Sequence, residues 1–375
     1  MLHELEPHEF RRAKPLFQGF DYSLSIHAAI EGNNPGRIFV DDARNPRTAL
    51  ALTVEGYVLA GDDGNPDTNE ALRCLFRDMI FTGKVYVNGD WSLSLAVHPD
   101  TWAARLPELI PTYEVIKIER YQYLCRAVKF DWRANLPEGY TIRRLDQALL
   151  HETDVVFPEQ MREALEIEEM WGTEESFFAK GVGFVVLDGR EVVACCTSDC
   201  VAGDRIDVGI FTHRDHRRRG LATAVVAATV EHCLSHGFRA VGWHCNTFNV
   251  ASWKTAEKVG FERAHEYAYY YYIYDLIEHL AELGWYYYRE GDYARTVRCY
   301  ERVFALRDEN ADYHYHLVAS AWAHLGDRAQ ALEYLLAAID HGWKHIEWTK
   351  QRPEFSSLVN TPEWDIVLAR MTDDP

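Results

Sequence analysis

The chain has 375 residues and a formal net charge of −19, with 58 acidic against 39 basic side chains. Such a field argues against general binding to nucleic acid or anionic membranes and is compatible with a cationic acceptor, such as a protonated amine, only as a long-range field. With 47% hydrophobic and 26% charged residues, the balance is that of an ordinary globular protein of two or three domains. The eight cysteines are scattered, with Cys195 and Cys196 adjacent and no C-x-x-C pair, which fits reduced thiols in the cytoplasm. A zinc site from Cys195, Cys196, Cys200, His213 and His216 is weighed and set aside, because the cysteine spacing is not that of a zinc knuckle. No metal is expected. The start, MLHELEPHEF, lacks a signal-peptide core, and no apolar run is long enough to span a bilayer.

Residues 1–30 read as helical, with Phe10, Leu16 and Phe17 as apolar contacts. Gly32-Asn33-Asn34-Pro35-Gly36 is a loop by its turn residues. Short strands are expected at Arg37–Asp41, Thr48–Thr53 and Tyr57–Gly61, and an amphipathic helix at Asn69–Phe81 carrying Leu72, Leu75, Phe76 and Met79. Further strands are expected at Leu93–Val97 and Tyr121–Lys129. The acidic, polar opening Asp67-Thr68-Asn69 would repel a pyrophosphate.

A boundary is expected near Asn135-Leu136-Pro137. A strand at Tyr140–Leu145 follows, then helical segments at Asp146–Val155 and Glu159–Met170. Strands at Gly183–Leu187 and Glu191–Asp199 are joined by Asp188-Gly189, a two-residue hairpin signal. Ala202-Gly203-Asp204 leads into a strand at Arg205–Thr212. His213 to Arg219 is a basic loop, and Gly220 opens a segment with Leu221, Val225, Ala228 and His232 at helical spacing, ended by His236-Gly237. A strand at Phe238–Cys245, a polar turn and a helix at Val250–Val259, capped by Asn249, complete the region.

A strand, a basic glycine-bearing turn and a helix start make an anion site, since the first amides of a helix lack internal partners and sit at its positive end. The turn reads Arg217-Arg218-Arg219-Gly220-Leu221-Ala222, an R-x-x-G-x-A pattern. Here the sequence resembles the GNAT superfamily of N-acetyltransferases, and the segment N-x-x-N-x-x-S-W-K-x-x-E-K-V-G-F from Asn246 resembles that family's closing motif. The resemblance covers about residues 140–272. It implies an α+β fold with a mixed sheet and flanking helices in a domain of residues 136–272. Residues 1–135 resemble the N-terminal half of a two-part bacterial branch, an α/β companion domain without the phosphate turn.

The resemblance implies acetyl-CoA as co-substrate and a primary amine of a small molecule or protein as acceptor. The amides of Ile210, Phe211 and Thr212 would meet the thioester and pantetheine. Arg217, Arg218, Arg219, Gly220, Leu221 and Ala222 would hold the pyrophosphate, and Asn246, Asn249 and Ser252 the amide arm. Capping alone is an equal reading for Asn249. Asp207 is the first choice for the base, with Glu168, Glu169, His213 and His244 behind it. Where many members carry a proton-donating tyrosine, this chain has Ala256, so water, Ser252 or Cys245 substitutes as the acid or the thiolate leaves without help.

Past residue 272 the pattern changes. Gly291-Asp292 recurs 35 residues later as Gly326-Asp327, each followed by Ala and Tyr at similar offsets. Helix–turn–helix repeats of this length resemble tetratricopeptide repeats, of period about 34. Residues 273–375 are therefore expected to be an all-α domain. Phe355, Leu358, Pro362, Trp364 and Ile366 would pack as its cap, and residues 275–375 could dock a protein partner. The competing reading of the whole chain is a degenerate acyltransferase fold that senses CoA or serves as an interaction scaffold.

Overall fold

The computed structural model describes residues 2–85, 87, 91–307 and 309–372. The chain divides into two compact units, Met1–Tyr271 and Tyr272–Pro375. No described helix is long and apolar enough to cross a membrane.

The first unit is built on one sheet of twelve strands: β1 (His3–Glu4), β2 (Gly36–Val40), β3 (Thr48–Thr53), β4 (Gly56–Gly61), β5 (Ser92–His98), β6 (Ile116–Cys125), β7 (Tyr140–Arg144), β8 (Gly183–Asp188), β9 (Glu191–Ala202), β10 (Arg205–Thr212), β11 (Ala240–Asn246) and β12 (Glu262–Ile273). Their order is β1-β2-β3-β4-β5-β12-β6-β11-β10-β9-β8-β7. Each half lays down five strands in sequence, and each sends its sixth across. β6, from the first half, pairs with β11 of the second, while β12, from the second half, lies between β5 and β6. Tyrosine-rich β12 suits this central place, because aromatic side chains pack well on a pleated surface.

The helix Leu221–Ser235 packs against β8 and β9 with ten of its residues buried, so it is apolar nearly all round. The segment of residues 1–30 is mostly two 3₁₀ turns, Pro7–Arg12 and Lys14–Phe20, before the α-helix Leu24–Glu31. Pro7, Pro15 and Gly19 interrupt a longer helix there. The helix expected at Asn69–Phe81 starts earlier, at Pro66, because Asn65 caps it, and it ends in a π turn at Phe76–Ile80. That turn buries Ile80 and leaves Met79 37% exposed. The helix expected at Glu159–Met170 is broken into Glu159–Glu163 and Ile167–Trp171 by Glu166, whose φ is 48°. Helices at Trp102–Leu109 and Glu174–Lys180 were not expected.

The second unit holds two antiparallel helix pairs, Leu276–Arg289 with Tyr293–Leu306 and Asp312–Leu325 with Arg328–Asp340. The repeated Gly-Asp explains both turns. Gly291 and Gly326 take positive φ at the end of one helix, and Asp292 and Asp327 cap the next. Phe355, Leu358 and Trp364 pack into the core beside the second pair, whereas Ile366 is 54% exposed and Val367 takes the buried place.

Candidate functional site

β10 and β11 run parallel, but their ladder covers only Arg205–Asp207 against Ala240–Gly242. Beyond it β10 bonds to β9 alone, and β11 bonds to β6 alone. The strands diverge, and the edge of Val208–Thr212 that faces β11 is left without a ladder partner. Backbone groups in such a cleft call for a ligand or water. In the other half, β4 and β5 stay paired from Tyr57 to Ala60, and the Trp102 indole donates to the Gly61 carbonyl at 3.0 Å. The two strands do not diverge over that stretch.

From Thr212 the chain turns through Arg214–His216 into the helix Leu221–Ser235. Arg218 and Gly220 both hold positive φ, 61° and 83°. Alternation of this kind gathers successive amides into a concave, anion-binding surface. Among the described residues, no amide from Arg218 to Thr223 donates to a backbone acceptor. A Cβ at Gly220 would meet nothing within 4 Å, so the space before these amides is open. Arg217 Nε donates to the Thr212 carbonyl at 3.0 Å, and Arg219 donates to the Tyr140 hydroxyl at 2.6 Å and the Asp215 carbonyl at 3.2 Å. These bonds stiffen the turn, while the Arg218 side chain is exposed. The arrangement fits a diphosphate: free amides, a helix N-terminus and clustered guanidinium groups. Leu221 is 1% exposed, so it offers only its amide, and small Ala222 is half-buried.

Beside the cleft lies a cavity of about 830 Å³ lined by Glu55, Glu163, Glu166 and Asp199, by Ile210 and Phe211, and by Arg214 and Arg217. Asp199 reaches it through a β-bulge. Asp207 faces Cys200 and Val208 faces Ser198, so Asp199 is the extra residue on β9. A bulge re-aims a side chain, and Asp199 Oδ1 comes to rest over Gly209, 2.8 Å from where a Cβ would be. The carbonyl freed by the bulge accepts from Asn34 Nδ2 at 3.0 Å, and Asn34 also donates to the Met170 carbonyl at 2.9 Å and accepts from the Val201 amide at 3.3 Å. The first half of the sheet thus pins the bulge of the second. Glu55, on the β3–β4 turn of the first half, reaches the same cavity. Burial raises the pKa of Asp199 well above the usual carboxylate range, and neighbouring Glu55, Glu166 and Asp207 raise it further. Burial and Asp207 also raise Glu55.

Asp207 is 3% exposed. Its Oδ1 points at Gly242, and its Oδ2 lies 3.4 Å from His244 Nε2. It sits at the base of the cleft and does not line the cavity. Glu168 and Glu169 are exposed and do not line it either. Cys245 is 4% exposed, with its thiol pKa raised by burial. The Ser252 hydroxyl accepts from the Trp243 indole at 3.1 Å. Asn249 uses its Oδ1 to cap its helix at the Ser252 amide, while Asn246 ends β11 half-buried. Ala256 is fully buried. Among the described residues, the group that could hold a metal is Glu55, Cys200 and Asp207, with ligand atoms within 4.8 Å of one another.

Asp199 and Glu55 were missed in the sequence. Asp199 ends an apolar strand pattern, where nothing local announces a bulge, and Glu55 lies in a turn remote from the second half.

Residues 14–270 match the model of the GNAT acetyltransferase family. YdfB of Bacillus subtilis (strain 168), an uncharacterized N-acetyltransferase, is 26% identical over 272 residues, covering 72% of this chain and 98% of that protein. A GCN5-related N-acetyltransferase-like protein from Streptococcus suis 89/1591 is 24% identical, covering 70% of this chain and 97% of its own, at a TM-score of 0.49. A GCN5-related N-acetyltransferase from Sphaerobacter thermophilus is 12% identical, covering 73% and 95%, at 0.47. The family match ends beside Tyr271, where the first unit ends.

Proposed function

Since the chain belongs to the GNAT acetyltransferase family, we propose that it is an acetyl-CoA-dependent N-acetyltransferase acting on a primary amine of a small molecule or protein. The observation that carries this reading is the row of unpartnered amides from Arg218 to Thr223 at an open helix start. Acetyl-CoA would supply the acetyl thioester. The amides of Arg218 to Ala222 and the guanidinium groups of Arg217, Arg218 and Arg219 take its diphosphate. The free edge of Val208–Thr212 bonds the amide arm, with Asn246, Asn249 and Ser252 opposite. The amides of Ile210 and Thr212, which alternate with those bonded to β9, face the open edge, and one of them donates to the thioester oxygen as charge builds there.

Asp199 receives a proton from the acceptor ammonium, in place of Asp207, whose carboxylate is turned to Gly242 and His244. The neutral nitrogen then bonds the acetyl carbon, the C–S bond breaks, and the proton the nitrogen must shed passes to the thiolate, relayed by Ser252, Cys245 or water. In the cytoplasm, which we take as the setting, all eight cysteines stand unpaired.

Calorimetry tests the reading: the native chain should bind acetyl-CoA and Gly220→Glu should not. No binding by either would overturn it. Buried Ala256 favours the second reading, a scaffold without turnover. Release of free thiol over an amine panel separates the two. We also propose that the helix pairs of residues 275–375 are tetratricopeptide-like and recruit a protein. If a chain ending at 274 turns over every acceptor unchanged, they have no part in acceptor binding.

A further inference from the structure

The acceptor end of the cavity carries more carboxyl groups than one amine can engage. Four of its lining residues are carboxylates, from both halves of the sheet: Glu55, Glu163, Glu166 and Asp199. Its two basic residues, Arg214 and Arg217, belong to the phosphate turn. Once a diphosphate is bound, Arg217 is matched, Arg214 pairs with Asp215 at 3.5 Å, and the carboxylates are left for the acceptor. A carboxylate oxygen of Glu55 lies within 4.8 Å of one from Asp207. Asp207 lies outside the cavity lining, its side chain 4% exposed and its Oδ2 3.4 Å from His244 Nε2. Arg120 and His244 face these acids from β6 and β11, and Arg120 answers one negative charge. Between the acids the wall carries apolar Ala164, Met170, Ile210 and Phe211 beside polar Gln160 and Thr197. At about 830 Å³ the cavity holds far more than a methylamine-sized acceptor.

We propose that the acceptor is a small, flexible compound with at least two cationic amines separated by methylene groups, a linear diamine or polyamine. This rests on the acetyl-transfer reading above. One ammonium sits at Asp199 over Gly209, gives up its proton there and is acetylated. The second stays charged and is held by Glu55 or by Glu163 and Glu166, with the methylenes against the apolar wall. A methylene spacer buries apolar area while each charge keeps a carboxylate partner, which a monoamine or a neutral peptide terminus cannot do.

The test uses the full chain with acetyl-CoA, reading free thiol, on butylamine, 1,4-diaminobutane, a linear triamine and a short neutral peptide with a free N-terminus. The diamine should exceed butylamine in kcat/KM by about tenfold, since one or two partly exposed ion pairs separate them, and high salt should narrow the gap. Glu163→Gln and Glu166→Gln, at exposed positions where folding is not at stake, should lower the ratio of diamine to monoamine turnover, mainly through KM. Equal turnover of butylamine and diamine, or a preference for the peptide, would overturn this inference alone, whereas no turnover of any amine with acetyl-CoA binding intact would overturn it together with the acetyl-transfer reading, in favour of the scaffold. Failure to bind acetyl-CoA would overturn the acetyl-transfer reading itself.

Discussion

Arg218 and Gly220 show how much of the site rests on two backbone angles, 61° and 83°. Gly220→Ala meets no clash, so its cost is the left-handed conformation alone, about 1–2 kcal/mol. The variant should melt slightly earlier and bind acetyl-CoA more weakly, because relaxation of φ turns the amides; thermal melts and calorimetry check both. The turn was legible in sequence because its chemistry is local, an arginine-glycine run between a strand and a helix. Asp199 was not, because a bulge depends on how β9 and β10 pair. Asp199→Asn should lower kcat about 10²–10⁴-fold while leaving acetyl-CoA affinity intact. Only the deprotonated carboxylate can accept a proton, and its pKa is raised by burial and by Glu55. Activity should therefore be lost as pH falls, with the break above the ordinary carboxylate range. Glu55→Gln removes a negative neighbour and should move that break to lower pH in a pH–rate profile.

Secondary structure was readable wherever period and turn chemistry agreed. Strands Thr48–Thr53 and Arg205–Thr212 and the helix Val250–Val259 appear where the pattern put them. The misses have physical causes: Asn65 moves one helix start, Glu166 breaks another helix, and prolines turn the first segment to 3₁₀. The β9 bulge yields a prediction. Asn34→Ala removes three bonds from a buried side chain and leaves the Asp199 and Met170 carbonyls unmet. Stability should fall by about 1–3 kcal/mol for each unmet group. In denaturant titrations the loss should appear together with a lower kcat, with acetyl-CoA affinity retained. In the helical unit, His316 is held neutral by burial and by Arg352, with its pKa down at about 3, and His314 by burial and by Arg307 at about 4. Both are depressed below the unfolded value, so their contribution is whole above about pH 6.5 and is lost as pH falls towards those values. Protection from hydrogen exchange in the helix Asp312–Leu325, taken relative to the intrinsic rate at each pH, should fall between pH 6 and 4, and His316→Phe should blunt the change.

At the scale of the molecule, the sequence puts a domain boundary near residue 136, where the chain does not divide into separate units, and a change of character past 272, beside the division at Tyr271 and Tyr272. It was silent on strand exchange, because the partner of β6 or β12 is chosen by contacts far along the chain. The strand order makes a fragment experiment decisive. A piece ending at residue 135 lacks β12 between β5 and β6, and a piece from 136 to 271 lacks β6 beside β11. Each alone should stay unfolded or aggregate through its open edge. Mixed during refolding, the two should recover native circular dichroism and a single melting transition. Crossed strands also bear on inheritance. The first half, without an open phosphate turn, is shielded from deletion, because excising it would take a central strand out of its neighbour. It can lose any chemistry of its own and still be kept, generation after generation, for its shape.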